Sequence, residues 1–285
     1  MSCYGIIAEI SSVNDYINFL FEYSEKKNVE LWYRGQRDNT WSIDSSINRN
    51  KIMDIPKLES GEVATLKYKN IVDFKKEIDS FCDAMKGFVP SNFNKFHYMM
   101  LGQHYGLKTP ALDWSTDPLV GLFFAIDGFE KENNNYPVVF VLDPSKLNAN
   151  SMIVYKEGNL PITEPLNIDN LSNTTFDLWL SDLNNTPFAP VPFAIRSNLD
   201  ISHRISRQSG VFTLMDTRQS LGYPWIQTVI DGEPLGITIK IKSDKVEEIR
   251  KQLEVLNIKS ETIYGNDHKD WDEKCSEIIS CTPII

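Results

Sequence analysis

Apolar positions along this chain change period several times, and each change marks an element. In "SSVNDYINFLFEYSEKKN", Val13, Tyr16, Ile17, Leu20 and Tyr23 recur at helical spacing. Ser12 serves as N-cap and Asp15 as the third helical residue, so the stretch predicts an amphipathic helix. "VELWYRGQ" then reads as a strand. Residues 61–86 carry a long helical pattern, and residues 91–105 carry another that stops at Gly106. In "LKTPALDWSTDPLVGLFFAIDG", Pro110 favours an extended entry, Asp117 can cap a helix with Pro118 in its first position, and "LVGLFFA" continues as a short, almost wholly buried helix. "PVVFVLD", "SGVFTLMD" and "LGITIKI" read as strands. Residues 243–256 predict a helix with a Glu247/Lys251 pair, and residues 267–279 predict a last one. Residues 148–199 are rich in Pro and Asn and predict an irregular surface excursion with a short helix near 176–183. Helices and strands mix without regular βαβ alternation, which predicts an α+β fold in one elaborated domain: a central mixed or antiparallel sheet flanked by helices.

Composition adds limits. With 285 residues, 41% of them hydrophobic and 24% charged, the chain has the makings of a soluble protein with a sizeable core. It has no apolar run of membrane-spanning length, and "MSCYGIIAEISS" lacks the regions of a signal peptide, so the expected location is cytoplasmic, with no membrane partner. Cys3, Cys82, Cys275 and Cys281 form no CxxC pair, which points to reduced thiols and away from a zinc site. The net charge of −10 argues against nonspecific nucleic-acid binding, which needs a basic face. One segment runs the other way: in "IRSNLDISHRISRQ", Arg196, His203, Arg204 and Arg207 gather against Asp200 alone, as a basic site or as a solvated loop.

Candidate chemistry concentrates in three places. Arg34 follows Tyr33 at the end of a predicted strand, and Gly35 lets a ligand or another backbone approach closely. A guanidinium there suits a phosphate or carboxylate, or else an ion pair with an acid such as Asp113. Downstream, Gln103 and His104 precede a glycine stop, and Asp113, Trp114, Ser115 and Thr116 lead into a helix N-terminus, which attracts anions. The same residue types are also ordinary caps. A Ser115/His104/Asp113 triad has no GxSxG elbow behind it, and the four histidines show no metal-ligand spacing. Third, "RISRQSGVF" sets Arg204, Arg207 and Gln208 before a glycine and a strand, where the Gln208 amide reads a ligand or binds a neighbouring loop.

These stretches resemble the FRG domain family, named for an aromatic-Arg-Gly motif. The resemblance rests on "YRGQ" (33–36, with Gln36), "INR" (47–49), "GQHYGLKTPALDWSTDPLVGLFFA" (102–125) and "RISRQSGVF" (204–212). It implies one FRG-type domain over 1–285, with a motif core at about 30–212 and a C-terminal strand–helix extension at 213–285. Pro110 and Ala111 stand where the family usually has Arg and Leu, which weakens any anion site built on that arginine. "YGND" (264–267) replaces the usual Phe-Pro-Asp-like turn.

A more distant resemblance links "YRG", "DWSTDPLVGLFFA" and "RQSGVF", in that order, to ADP-ribosyltransferases of the Arg-Ser-Glu type. It implies an ADP-ribosyltransferase-like fold with NAD as substrate and no metal. Arg34, Ser115 and Gln208 would form the catalytic set, with Tyr33, Gly35, Gln36, Gln103, His104, Asp113, Trp114, Thr116, Arg204 and Arg207 around the ligand. Gly210 then occupies the place of the catalytic glutamate, and Glu233, Asp113 or another acid has to replace it. The function implied is ADP-ribose transfer to a macromolecule, or NAD hydrolysis, by a bacterial or phage effector of conflict or toxin systems. The rival is a noncatalytic module that senses a nucleotide or anion and works with a regulatory protein. A nucleic-acid accessory role through residues 196–207 is the third reading. Either of the first two predicts Trp32 and Phe212 in one sheet, Arg34, Ser115 and Gln208 at one cleft, and His104 orienting Asp113 or the cleft wall.

Overall fold

A computed structural model of the chain describes residues 6–25, 29–47, 60–131, 135–150, 164–185, 192–215, 229–230, 232–265 and 271–281. The chain begins with β1 (Ile6–Ile10) and α1 (Val13–Glu25), whose first turn is closed by the Ser12 hydroxyl accepting from Asp15 N at 3.0 Å. Next come β2 (Trp32–Gln36), α2 (Ser60–Met85) and α3 (Lys95–His104). The last of these starts four residues later than the pattern of 91–105 predicts. Asn94 is its N-cap, with a side chain that accepts from Phe96 N and His97 N, and the residues before it are turn. β3 (Ala111–Ser115) runs into α4 (Pro118–Ile126) through the expected cap, Asp117 Oδ1 accepting from Leu119 N at 2.8 Å with Pro118 in the first turn.

β4 (Val138–Leu142) is the expected buried strand, and α5 (Pro144–Asn150) runs into the stretch expected to be irregular. That stretch also contains β5 (Leu166–Asn167), α6 (Asn173–Asn185) and β6 (Phe193–Arg196). The helix near 176–183 is thus longer than expected, and β6 carries no polar alternation because its first three residues are all buried. α7 (His203–Arg207), β7 (Gly210–Leu214), β8 (Val229–Ile230), β9 (Glu233–Pro234), β10 (Gly236–Ile241), α8 (Val246–Val255), α9 (Ser260–Tyr264) and α10 (Asp272–Cys281) complete the chain. Glu247 pairs with Arg250 at 3.4 Å, one position short of the expected Lys251. Asn48, Arg49, Asn266 and Asp267 of the family-like stretches lie outside the described residues.

The architecture is α+β. An open, mixed eight-stranded sheet has the order β1-β10-β4-β2-β3-β7-β6-β5, parallel at its two edge pairs and antiparallel between them. Trp32 on β2 and Phe212 on β7 therefore share a sheet, as expected. Two apolar clusters lie on one face. In one, Phe81, Met100, Phe176 and Cys275 from α2, α3, α6 and α10 pack against Ala111, Ile195 and Phe212. In the other, Tyr16, Val120 and Ile249 from α1, α4 and α8 pack against Tyr33, Val141 and Ile239. The opposite face buries Trp32, Leu112, Trp114 and Phe140 beneath Ile43, Leu147 and Leu235. Cys82, Cys275 and Cys281 are free thiols, and no helix among the described residues is long and apolar enough to cross a membrane.

Candidate functional site

Strand register brings the three motif stretches together. Tyr33 on β2 faces Ser115 on β3, and Ser115 faces Gly210 on β7, so one rung crosses three neighbouring strands. Among the described residues, Tyr33 and Ser115 are the only register pair between β2 and β3. Next to that rung, Arg34 Nη1 donates to the Asp113 carbonyl at 2.7 Å. The arginine thus meets Asp113 at the main chain, where an ion pair with its carboxylate was the expected alternative. Side chains alternate across a strand, so Arg34, which pairs with Phe140, lies on the face opposite Tyr33 and Ser115.

Ser115 is buried, and its hydroxyl works within the backbone: Oγ donates to the Gln208 carbonyl at 2.7 Å and accepts from Asp117 N at 2.9 Å. Thr116 N donates to the Ser209 carbonyl at 3.0 Å, so Ser115 and Thr116 staple the end of β3 to the turn before β7.

Three residues expected at the ligand belong to the interior instead. Tyr33 is buried in the α1/α4 core, where burial and the nearby Asp117 push its phenol up to about 12. Gln36 is buried and uses Nε2 on the Ser42 carbonyl at 3.4 Å. Gly35 makes room for a helix: a Cβ there would fall onto Ala125 N and Gly121 O of α4 and lie 2.7 Å from Phe124 C. The close approach that this glycine permits is by another backbone, not by an anion.

Asp113 is the exposed polar group of the region. Its Oδ1 accepts from Gln103 Nε2 at 2.6 Å, and the Gln103 Oε1 in turn accepts from the Thr109 hydroxyl. Thr109 Oγ1 also accepts from Ala111 N at 3.2 Å, which leaves its proton for Gln103 and fixes the direction of the chain of bonds. Thr109 carries no signal in the sequence beyond its place between a glycine stop and a strand. Asp113 and Trp114 line a cavity of about 30 Å³ with Met100, His104, Ile205, Gln208, Gly210 and Phe212, space for a water-sized guest. Trp114 is otherwise held by its indole N–H on Thr213 Oγ1 at 3.0 Å.

Gln103, not His104, is the side chain that orients Asp113. His104 forms cavity wall, and burial together with the adjacent Arg204 pushes its pKa down to about 4, so the imidazole is neutral at neutral pH. Of the acids weighed against position 210, Asp113 borders the cavity. Glu233 sits on β9, 3.6 Å from Lys146 Nζ.

Arg204 and Arg207 turn toward the C-terminal α9. The Arg204 guanidinium lies 4.8 Å from the centre of the Tyr264 ring, and the Arg207 guanidinium lies over Gly265, where an added Cβ would make it shift. Gln208 Nε2 is 3.5 Å from the Ile263 carbonyl. Tyr264 anchors this corner by donating to Asp127 Oδ2 at 2.6 Å. Nothing in the "YGND" stretch announces that Tyr264 is the platform for Arg204. Among the described residues, no group of three or more His, Cys, Asp or Glu side chains is arranged to hold a metal ion.

No curated protein and no solved structure matches this chain. The stretch at 204–212 lies beyond the one family match found, although β7 is hydrogen-bonded to the matched β3. That match covers residues 29–134, which hold the aromatic-Arg-Gly strand, the Gln103–Asp113 pair and the α4 cap, and it is to the FRG domain, so the chain carries a domain of that family.

Proposed function

We propose that this chain is an ADP-ribosyltransferase-like enzyme that takes NAD at the junction of β2, β3 and β7 and transfers ADP-ribose to a macromolecule or to water. The observation that carries the reading is the rung Tyr33–Ser115–Gly210. Segments about eighty and ninety-five residues apart in sequence become hydrogen-bonded neighbours in the order that an Arg-Ser-Glu site requires. Arg34 projects from the other face of β2, so it supplies the cation to a dinucleotide that passes the end of the β2–β3 ladder, where its Nη1 meets the Asp113 carbonyl. NAD is far larger than the cavity beside Gln208, so binding has to widen it or use its open side at Asp113. The effector role in conflict or toxin systems comes with the family resemblance.

One observation favours the noncatalytic reading. A Cβ on Gly210 would lie 2.9 Å from Ile205 Cγ2 and 3.1 Å from its carbonyl oxygen, so position 210 has little room for a glutamate. Incubating the purified chain with NAD separates the readings. Nicotinamide release that disappears in Arg34→Ala supports the enzyme, and saturable NAD binding without release supports the sensor. A chain that neither binds NAD nor releases nicotinamide has another function.

A further inference from the structure

We propose that Asp113 supplies the carboxylate that position 210 lacks, with Gln103 as its positioning residue. The inference rests on the NAD reading above. Asp113 stands two residues before Ser115 on β3, and Ser115 faces Gly210 across to β7. Asp113 and Gly210 are therefore diagonal neighbours on one face, a separation of roughly 7–8 Å between backbones that a short side chain bridges. Both residues border the same cavity as Gln208.

Two contacts fix Asp113, and a third fixes its partner. The main chain is gripped by Arg34 at 2.7 Å, and the carboxylate by Gln103 at 2.6 Å. Gln103 itself is held by Thr109, whose hydroxyl is committed by the bond from Ala111 N, so the amide presents its NH₂ to the carboxylate. Asp113 is itself exposed and borders the cavity, so a substrate can reach it. A carboxylate held this way is prepared before the reaction, and that is the condition for stabilising charge as it develops.

The step balances without oxidant or metal. The bond between ribose C1′ and the nicotinamide nitrogen breaks heterolytically, and its electron pair neutralises the pyridinium as nicotinamide leaves. Asp113 offsets the positive charge spread over C1′ and the ring oxygen. The oxygen of water, or of an acceptor hydroxyl, forms the new bond to C1′, and its proton passes to Asp113 or to solvent. With water the products are ADP-ribose, nicotinamide and a proton.

The test uses the full chain, NAD titration for binding and nicotinamide release for turnover. Asp113→Asn keeps size and the contact to Gln103 but removes the charge, so release should fall about a hundredfold or more while NAD affinity changes by less than about threefold. Asp113→Glu keeps the charge and should retain measurable release, and it serves as the second variant if the Asn protein does not fold. Gln103→Ala should lower kcat about tenfold and leave KM unchanged, the pattern of a lost transition-state contact. Wild-type release by Asp113→Asn overturns the assignment, as does equal loss of binding and release in a folded variant. NAD binding by the wild type with no release also overturns it and leaves the dinucleotide site standing, whereas no NAD binding at all removes that site as well.

Discussion

Arg34 and Asp113 are joined guanidinium to carbonyl at 2.7 Å, which places a cation at the point where the β2–β3 ladder ends and leaves the Asp113 carboxylate to Gln103. The two parts of Asp113 are held by different residues, so substitutions can separate their roles. Arg34→Ala should cost about 1.5 kcal/mol of stability, the low end for a bond from a charged donor, because the site is partly exposed. A lysine can still donate to a lone carbonyl, so Arg34→Lys should unfold nearly as the wild type does. Its NAD affinity should nevertheless fall about tenfold, as in the alanine variant, because an ammonium lacks the two-pronged geometry that paired oxygens prefer. Denaturant titrations and NAD titrations of both variants report the two effects separately. Unchanged NAD affinity in both would make Arg34 a structural residue only.

Gly35 and Gly121 let β2 and α4 touch backbone to backbone. In Gly35→Ala the new methyl meets main-chain atoms of α4, which cannot rotate away, while in Gly121→Ala it meets Tyr33 Cβ at 2.6 Å. Each should cost about 3 kcal/mol or more, the upper end for overpacking. Melting temperatures test this, and a Gly35→Ala protein as stable as the wild type would disprove the packing account.

Tyr264 combines three functions in one corner: a hydroxyl bond to Asp127, a face beneath Arg204, and edge contacts to Phe123 and Phe124 at 6.0 and 6.1 Å between ring centres. Tyr264→Phe removes only the hydroxyl and should cost about 1–2 kcal/mol. Tyr264→Ala removes the platform too, should cost about 3 kcal/mol, and should speed hydrogen exchange of the α9 amides relative to those of β4. Equal exchange in wild type and alanine variant would mean that α9 is held by something else.

What the sequence made legible follows from locality. The α4 cap, the β2 and β7 strands and the buried β4 strand are written in contiguous residues, and each was found close to its predicted place. β1 escaped because it is a half-exposed edge strand without clean alternation, and β6 because it is a four-residue strand inside a Pro- and Asn-rich stretch. At the site, the polar residues were visible but their partners were not. Strand order decided that Ser115 lies against Gly210, and a chain reversal of five residues brought Thr109 to Gln103. Gly35 and Tyr33 had equally good readings as ligand contacts and as packing positions, and only α4 lying on β2 decides for packing.

One buried and one half-buried histidine set the expected acid sensitivity. His97 on α3 is fully buried, with Nδ1 accepting from Asn94 N at 3.0 Å and Nε2 facing Asp169 Oδ1 at 3.1 Å. The neutral ring therefore carries its proton on Nε2, and a second proton on Nδ1 would break the capping box that starts α3. Burial lowers the pKa of His97 despite Asp169, and burial with Arg204 brings His104 to about 4. Both values lie below the roughly 6.5 of an unfolded histidine. The unfolded chain thus binds more protons in this range, and stability falls as pH falls. The contribution is fully present above about pH 6.5 and is lost as the pH drops through the folded-state values toward 4. The carboxyls of Asp38 and Asp169 are held below their usual range and act only lower still, so the interval between pH 6.5 and 4.5 reports the histidines. Urea unfolding across that interval should show a steady loss of stability, and His104→Gln should flatten part of the slope while leaving the neutral-pH midpoint close to the wild-type value. A stability that stays level or rises from pH 6.5 to 4.5 would contradict the neutral form of both imidazoles in the folded chain.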